Sequence, residues 1–144
     1  MRVLLQRVRQ AAVDVGERRV GEIGVGLLVF VGVEANDTVE QAHWLADKTL
    51  GLRIFADADK PMNRSVVDVG GEILVVSQFT LAADTSRGKR PGFSTAAPPV
   101  LAEQLYREYV AQLQKIQPVQ TGQFGADMQV SLVNDGPVTF ILER

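Results

Sequence analysis

The sequence predicts an α+β fold, in which a mixed, barrel-like β-sheet packs against two amphipathic helices. Three observations indicate this class: several runs whose apolar residues alternate, one nearly continuous apolar run over 25–33, and two segments with helical spacing over 38–53 and 100–116. A chain of 144 residues has the length of one domain, so we expect a single domain over 1–144.

The first third of the chain carries strand signals. Residues Arg2–Val8 alternate as a strand, and Ala11–Ile23 is typical of a hairpin that turns at Gly16-Glu17-Arg18. The run Val25–Val33 is apolar at almost every position, which is typical of a strand buried on both faces.

Thr38 begins the first predicted helix. It is a good N-cap residue, and Gln41 three residues later completes a capping box, so we expect a helix from Thr38 to about Arg53. His43 lies one position off the apolar stripe, and we interpret it as a boundary residue. Trp44 lies on the more polar side, where either a subunit contact or a partly covered surface position fits.

The rest of the chain mixes strands, loops and a second helix. A strand is predicted over Glu72–Gln78 and an exposed loop over Ala83–Phe93. The apolar spacing of Val100–Ile116 predicts an amphipathic helix. Three further strands are predicted over Val119–Phe124, Met128–Val133 and Val138–Leu142.

Composition narrows the possible functions. The chain has no cysteine and one histidine, which excludes a thiol nucleophile, Cys-ligated zinc and a multi-histidine metal site within one subunit. No metal site built from cysteines or from several histidines of one subunit is therefore expected. The net charge of −2 does not indicate general nucleic-acid binding, and no apolar run approaches the roughly 20 residues of a membrane span. We expect a cytoplasmic protein with no membrane partner.

The segment Ser77-Gln78-Phe79-Thr80 is the first candidate site. In a continued strand Ser77 and Thr80 would face opposite sides, but a helical step after Ser77 would bring them together. Such a step would also free the N–H groups of Phe79 and Thr80 to hold an oxyanion. A capping hydroxyl at a strand–loop junction is the alternative interpretation.

A basic loop follows within a few residues. Arg87, Lys89 and Arg90 lie between flexible glycines and are followed by Phe93. Cations beside an aromatic ring can hold phosphates and stack on a base, which predicts nucleic-acid contact. A solvated run of charge is the alternative.

Near the C-terminus, Gly136-Pro137 interrupts two alternating runs. Proline lacks an N–H group, and a bond before proline takes the cis form at little cost. One interpretation is an ordinary hairpin turn. The other is a rigid backbone step whose carbonyl groups contact a small substrate.

Two motifs together resemble the D-aminoacyl-tRNA deacylase family: SQFTL at 77–81 and NDGPVT at 134–139. The similarity extends to Gln6-Arg7-Val8 and to the loop RGKRPGF at 87–93. The resemblance implies an enzyme without cofactor that hydrolyses the ester bond of D-aminoacyl-tRNA, and of glycine mischarged on tRNA. Catalysis would then fall to Ser77, Gln78, Phe79 and Thr80.

The resemblance also implies a homodimer. A Gly136–Pro137 step in the cis form would enter the site of the other subunit and reject L-aminoacyl-tRNA, and Arg7 would support that step. Contact with tRNA would fall to the loop side chains, which are Arg87, Lys89, Arg90 and Phe93.

Two rival functions remain compatible with the residues. One is a non-catalytic nucleic-acid-binding module that uses the basic loop 87–93, although the acidic pI of about 5.4 disfavours it. The other is a general Ser/Thr esterase that uses His43 as its base.

Overall fold

The computed structural model describes residues 1–144 and contains six strands, two α-helices and one 3₁₀ turn. The helices are α1 (Val39–Gly51) and α2 (Pro99–Gln114), and the 3₁₀ turn covers Phe79–Ala82. Neither helix is long and apolar enough to cross a membrane. The strands are β1 (Arg2–Val15), β2 (Arg18–Ile23), β3 (Gly26–Gly32), β4 (Glu72–Ser77), β5 (Val119–Thr121) and β6 (Gln129–Glu143).

The strands form one mixed sheet around β1. One edge of β1 pairs antiparallel with β6, and the other pairs first with β3 over residues 2–8 and then with β2 over residues 11–15. Parallel pairs join β3 to β4 and β4 to β5. Because β2 also contacts β4 and β5, the sheet curls toward closure. The predicted α+β class with a barrel-like sheet is confirmed.

Of the two interpretations of Gly136-Pro137, the structure contradicts the hairpin turn. Both predicted strands on either side of it belong to β6, and both pair with β1 rather than with each other. The ladder pairs Val8 with Asn134 and Gln6 with Thr139, so that four residues of β6, 135–138, lie opposite one residue of β1. Glycine and proline therefore mark a bulge within a strand, not a reversal of the chain.

Local signals predicted both ends of each helix to within one or two residues. The capping box of α1 is present: the Thr38 N–H donates to Gln41 Oε1 at 2.7 Å, and the Gln41 N–H donates to Thr38 Oγ1 at 3.4 Å. The helix ends at Gly51, earlier than expected. Proline takes the first position of α2, where its missing donor costs nothing.

Both helices pack on one face of the sheet, and a second apolar cluster lies on the other face. Ile73 and Val75 of β4 belong to the helix-covered core, whereas Leu74 and Val76 belong to the second cluster. This burial on both faces holds β4 rigidly just before the 3₁₀ turn.

The two tyrosines of the chain both lie on α2 and are buried. The Tyr106 hydroxyl donates to the Val75 carbonyl at 3.0 Å, and the Tyr109 hydroxyl is 2.8 Å from Thr49 Oγ1. Burial raises the pKa of both phenols above its ordinary value.

We expect the free energy of unfolding to fall as pH rises above about 10. Above this pH the tyrosines of the unfolded chain lose their protons while those of the native protein keep them, so rising pH favours unfolding. Below about pH 10 the contribution of the two protonated tyrosines to stability is fully present. Each tyrosine adds a slope of up to about 1.4 kcal/mol per pH unit.

Urea unfolding between pH 9 and 11 measures this slope, and Tyr106→Phe should reduce it. Native phenols that ionise near pH 10, followed by absorbance at 295 nm, would contradict the prediction.

Candidate active site

Of the two interpretations of the segment after Ser77, the structure shows the helical step, because the 3₁₀ turn begins at Phe79, two residues after the end of β4. Ser77 pairs with Val31 of β3, and the next N–H, that of Gln78, donates to the Val31 carbonyl at 2.8 Å. The first hydrogen bond of the turn runs from the Leu81 N–H to the Gln78 carbonyl at 3.1 Å. The N–H groups of Phe79 and Thr80 precede it and are therefore not used by the turn.

Two residues that sequence analysis missed hold this turn against the sheet. A Cβ added at Gly32, the last residue of β3, would lie 2.7 Å from the Leu81 Cβ and 3.0 Å from the Gln78 carbonyl oxygen. Only glycine lets the turn pack this closely on β3. Arg2 Nη1 donates to the Leu81 carbonyl at 3.0 Å from the neighbouring strand.

A cavity of about 390 Å³ opens beside the turn and is lined by 15 residues, 11 of them hydrophobic. Of the predicted catalytic residues, Ser77, Gln78 and Phe79 form part of its wall, whereas Thr80 does not. The other walls come from the end of β3 and the residue after it, from α2, and from the segment 124–130 that leads into β6. They include Val31, Val33, Ala102, Tyr106, Phe124, Met128 and Val130. Their spacing in the sequence resembles ordinary core, so no sequence signal distinguished them.

None of the polar side chains of this site is a strong base. Gln78 Nε2 donates to Thr80 Oγ1 at 2.5 Å. Tyr106 is the one titratable side chain of the wall, and its hydroxyl is engaged with the Val75 carbonyl. Because burial raises the pKa of Tyr106, it remains protonated at neutral pH.

The basic loop is attached directly to this turn. Reciprocal N–H to carbonyl bonds between Asp84 and Gly92, both 2.8 Å, close the loop at its base. The Phe93 ring then packs on the Phe79 ring at 5.0 Å between centroids. The three loop cations are exposed and have no acidic partner within 4.0 Å; they are Arg87, Lys89 and Arg90.

The Gly136–Pro137 bond is cis, and Gly136 has a φ of +134°, which favours glycine. Both residues are exposed. The Arg7 side chain, 14% exposed, lies beside them: Nε donates to the Asp135 carbonyl at 3.1 Å and Nη1 to the Ile54 carbonyl at 2.5 Å. Arg7 thus ties the bulge to the loop that follows α1.

Within one chain, the bulge and the Ser77–Thr80 segment are not brought together. They belong to β6 and to the end of β4, and β1 and β3 lie between these two strands. Three strand spacings correspond to about 14 Å across the sheet. Accordingly, neither Gly136 nor Pro137 lines the cavity.

His43 and Trp44 lie away from the cavity. His43 Nε2 is 3.0 Å from Glu108 Oε2 of α2, a partner that only the packing of the helices reveals. The guanidinium of Arg144 lies 4.6 Å from the centroid of the Trp44 ring and partly covers it. Because His43 does not line the cavity, the structure disfavours an esterase that uses it as a base.

The family model for D-Tyr-tRNA(Tyr) deacylase matches residues 4–143. The chain belongs to this family. The D-aminoacyl-tRNA deacylase of Teredinibacter turnerae is 57% identical over 144 residues, with 99% of each chain covered. That of Haemophilus influenzae is 56% identical over 142 residues, again with 99% of each chain covered. The family resemblance inferred from SQFTL and NDGPVT is thereby confirmed, and the chain is that of an enzyme.

Solved structures share the whole fold. A structure described as the c-Myc DNA Unwinding Element Binding Protein superimposes with a TM-score of 0.94 at 40% identity, covering 100% of this chain and 99% of its own. A probable eukaryotic D-amino acid tRNA deacylase gives a TM-score of 0.84 at 19% identity, covering 98% and 97%. The second likeness concerns the fold alone.

Proposed function

We propose that this protein hydrolyses the ester bond of D-aminoacyl-tRNA, and of glycine mischarged on tRNA, and releases the free amino acid and tRNA. The observation that carries the proposal is the 3₁₀ turn after Ser77, which leaves the N–H groups of Phe79 and Thr80 unused at the edge of an apolar cavity, in a chain of the deacylase family. We further propose that it acts as a homodimer in the cytoplasm.

The N–H groups of Phe79 and Thr80 would stabilise the oxyanion that forms when water attacks the ester carbonyl. No side chain of the wall can accept the proton of that water, because Tyr106 is a donor and the other lining residues do not titrate. We assign this role to the 2′-hydroxyl of the terminal adenosine, which would accept the proton of the attacking water as it passes its own proton toward the 3′-oxygen. Collapse of the intermediate then breaks the ester C–O bond, and the 3′-oxygen leaves as a hydroxyl group.

Selectivity would come from the backbone of Gly136 and Pro137. Both residues are exposed and distant from the cavity of their own chain, and β6 pairs with β1 alone, so its outer edge is free. In a homodimer, Gly136 and Pro137 of the partner subunit would face Ser77. The bonds from Arg7 to the Asp135 and Ile54 carbonyls would keep this step in place.

This step would reject the L-enantiomer by steric exclusion. Backbone atoms on one side of the substrate α-carbon leave room for hydrogen but not for a side chain. A D-residue would direct its side chain outward, and glycine would be accepted. The identity of the D-side chain would then matter little.

Matched D- and L-aminoacyl-tRNA test the proposal directly. We expect D-Tyr and D-Asp esters to be hydrolysed at similar rates, and the L-esters at least about 100-fold more slowly. Ester loss is followed with labelled amino acid, and buffer alone corrects for spontaneous hydrolysis. Equal rates for the two enantiomers would refute the proposed function.

Thr80→Ala distinguishes a positioning role from a nucleophile. The Thr80 hydroxyl already accepts from Gln78 Nε2, which is not a base, so we expect the activity to fall by less than about 100-fold, whereas loss of a nucleophile costs about 10⁶-fold. Thr80→Ser is the control that keeps the hydroxyl. Complete loss in Thr80→Ala, with fold and tRNA binding retained, would contradict the substrate-assisted mechanism.

The basic loop would bind the tRNA backbone. Replacing its three cations together (Arg87→Ala, Lys89→Ala and Arg90→Ala) should raise KM for D-aminoacyl-tRNA and leave kcat unchanged. The slope of log KM against log salt concentration should fall by about 0.7–0.9 for each phosphate that the loop no longer neutralises. Lys60→Ala removes one exposed charge elsewhere and serves as the control. An unchanged KM and salt slope would exclude this loop from tRNA binding.

A further inference from the structure

The bulge of β6 is closed at its base by a single side chain. Asn134 Oδ1 accepts from the Val138 N–H at 3.1 Å, and Asn134 Nδ2 donates to Thr139 Oγ1 at 2.9 Å. The amide therefore links the residue before the bulge to the last residue of the bulge and to the residue after it. A carboxamide suits this place because it offers one acceptor and a donor group on the same planar unit.

Two further contacts fix the far end of the bulge. Thr139 Oγ1 also accepts from Gln6 Nε2 of β1 at 3.2 Å, which ties the hydroxyl to the neighbouring strand. Val138 is 7% exposed and is the one buried residue of β6, packed in the main core. Together with the bond from Arg7 to Asp135, these contacts hold both ends of the bulge and leave its middle exposed.

Backbone atoms can exclude a substrate side chain only if they keep their positions when the substrate binds. The atoms of a functional site must be held to within about 0.5 Å, so a displacement of well under 1 Å decides whether the side chain of an L-residue fits. None of the Asn134 bonds reaches the exposed middle of the bulge, at Gly136 and Pro137. Their effect is to restrict how far it can move.

We propose that Asn134, oriented by Thr139, is a positioning residue that fixes the Gly136–Pro137 backbone and so sets discrimination between D- and L-aminoacyl-tRNA. This inference rests on the proposed function of that step as the element that rejects L-esters. Its specific claim is that the bonds at the base of the bulge control selectivity more than they control the rate on the D-substrate.

The test compares initial rates on matched D- and L-aminoacyl-tRNA. In Asn134→Ala both side-chain bonds are removed, and the ratio of D to L rates should fall at least tenfold through faster hydrolysis of the L-ester. Thr139→Val removes the hydroxyl that accepts from Asn134 Nδ2 but leaves the bond from the Val138 N–H to Asn134 Oδ1, so it should lower the ratio less. Thr139→Ser keeps the hydroxyl and should have the same ratio as the unmodified protein.

Circular dichroism and thermal unfolding accompany each variant, and Thr139→Val keeps the test informative if Asn134→Ala does not fold. An unchanged ratio of D to L rates in folded Asn134→Ala would overturn the inference, even if both rates fell together. If Asn134→Ala does not fold, an unchanged ratio in Thr139→Val would overturn it.

Gly136→Ala distinguishes a failure of this inference from a failure of the proposed function of the Gly136–Pro137 step. A Cβ at Gly136 would lie 2.7 Å from Val138 Cγ2 and would displace the step. If Gly136→Ala also leaves the ratio unchanged, the proposed role of the step fails; if it alters the ratio, only the role of Asn134 fails.

Discussion

The pairing of β1 along both of its edges is the constraint on which the site depends. One edge holds β6, and with it the bulge beside Arg7; the other holds β3, which in turn carries β4 to Ser77. A slip of β1 by one residue would turn Arg7 to the opposite face and separate it from the Asp135 and Ile54 carbonyls. Both parts of the proposed site are thus positioned from one strand.

What the sequence predicted well is local. The capping box at Thr38 and the buried run that became β3 each depend on residues a few positions apart, and so does the helical step after Ser77, which was one of two interpretations of that segment. The hairpin interpretation of Gly136-Pro137 failed for the same reason. Glycine and proline predict the conformation of their own backbone, but they do not predict which strand the flanking segments pair with.

The rest of the site comes from packing between distant segments. Tyr106 and Phe124, whose rings lie 5.8 Å apart, form the cavity wall although their positions follow the pattern of ordinary core. Glu108 reaches His43 only because α2 packs beside α1. Gly32 is one of 13 glycines in the sequence, and its importance follows from the closeness of a turn that begins 47 residues later, at Phe79.

The pairing of both halves of β6 with one strand also limits how this region can change in evolution. Side chains alternate along a strand, so a slip of residues 139–143 by one position against β1 would exchange Phe140 and Leu142, which pack against the core, for the exposed Ile141 and Glu143. An insertion or deletion would therefore have to be taken up within the bulge, where it would displace Gly136 and Pro137. The loop closed by Asp84 and Gly92 has no such parity and can vary in length. New specificity at the bulge must therefore arise by substitution, whereas the basic loop is also free to lengthen.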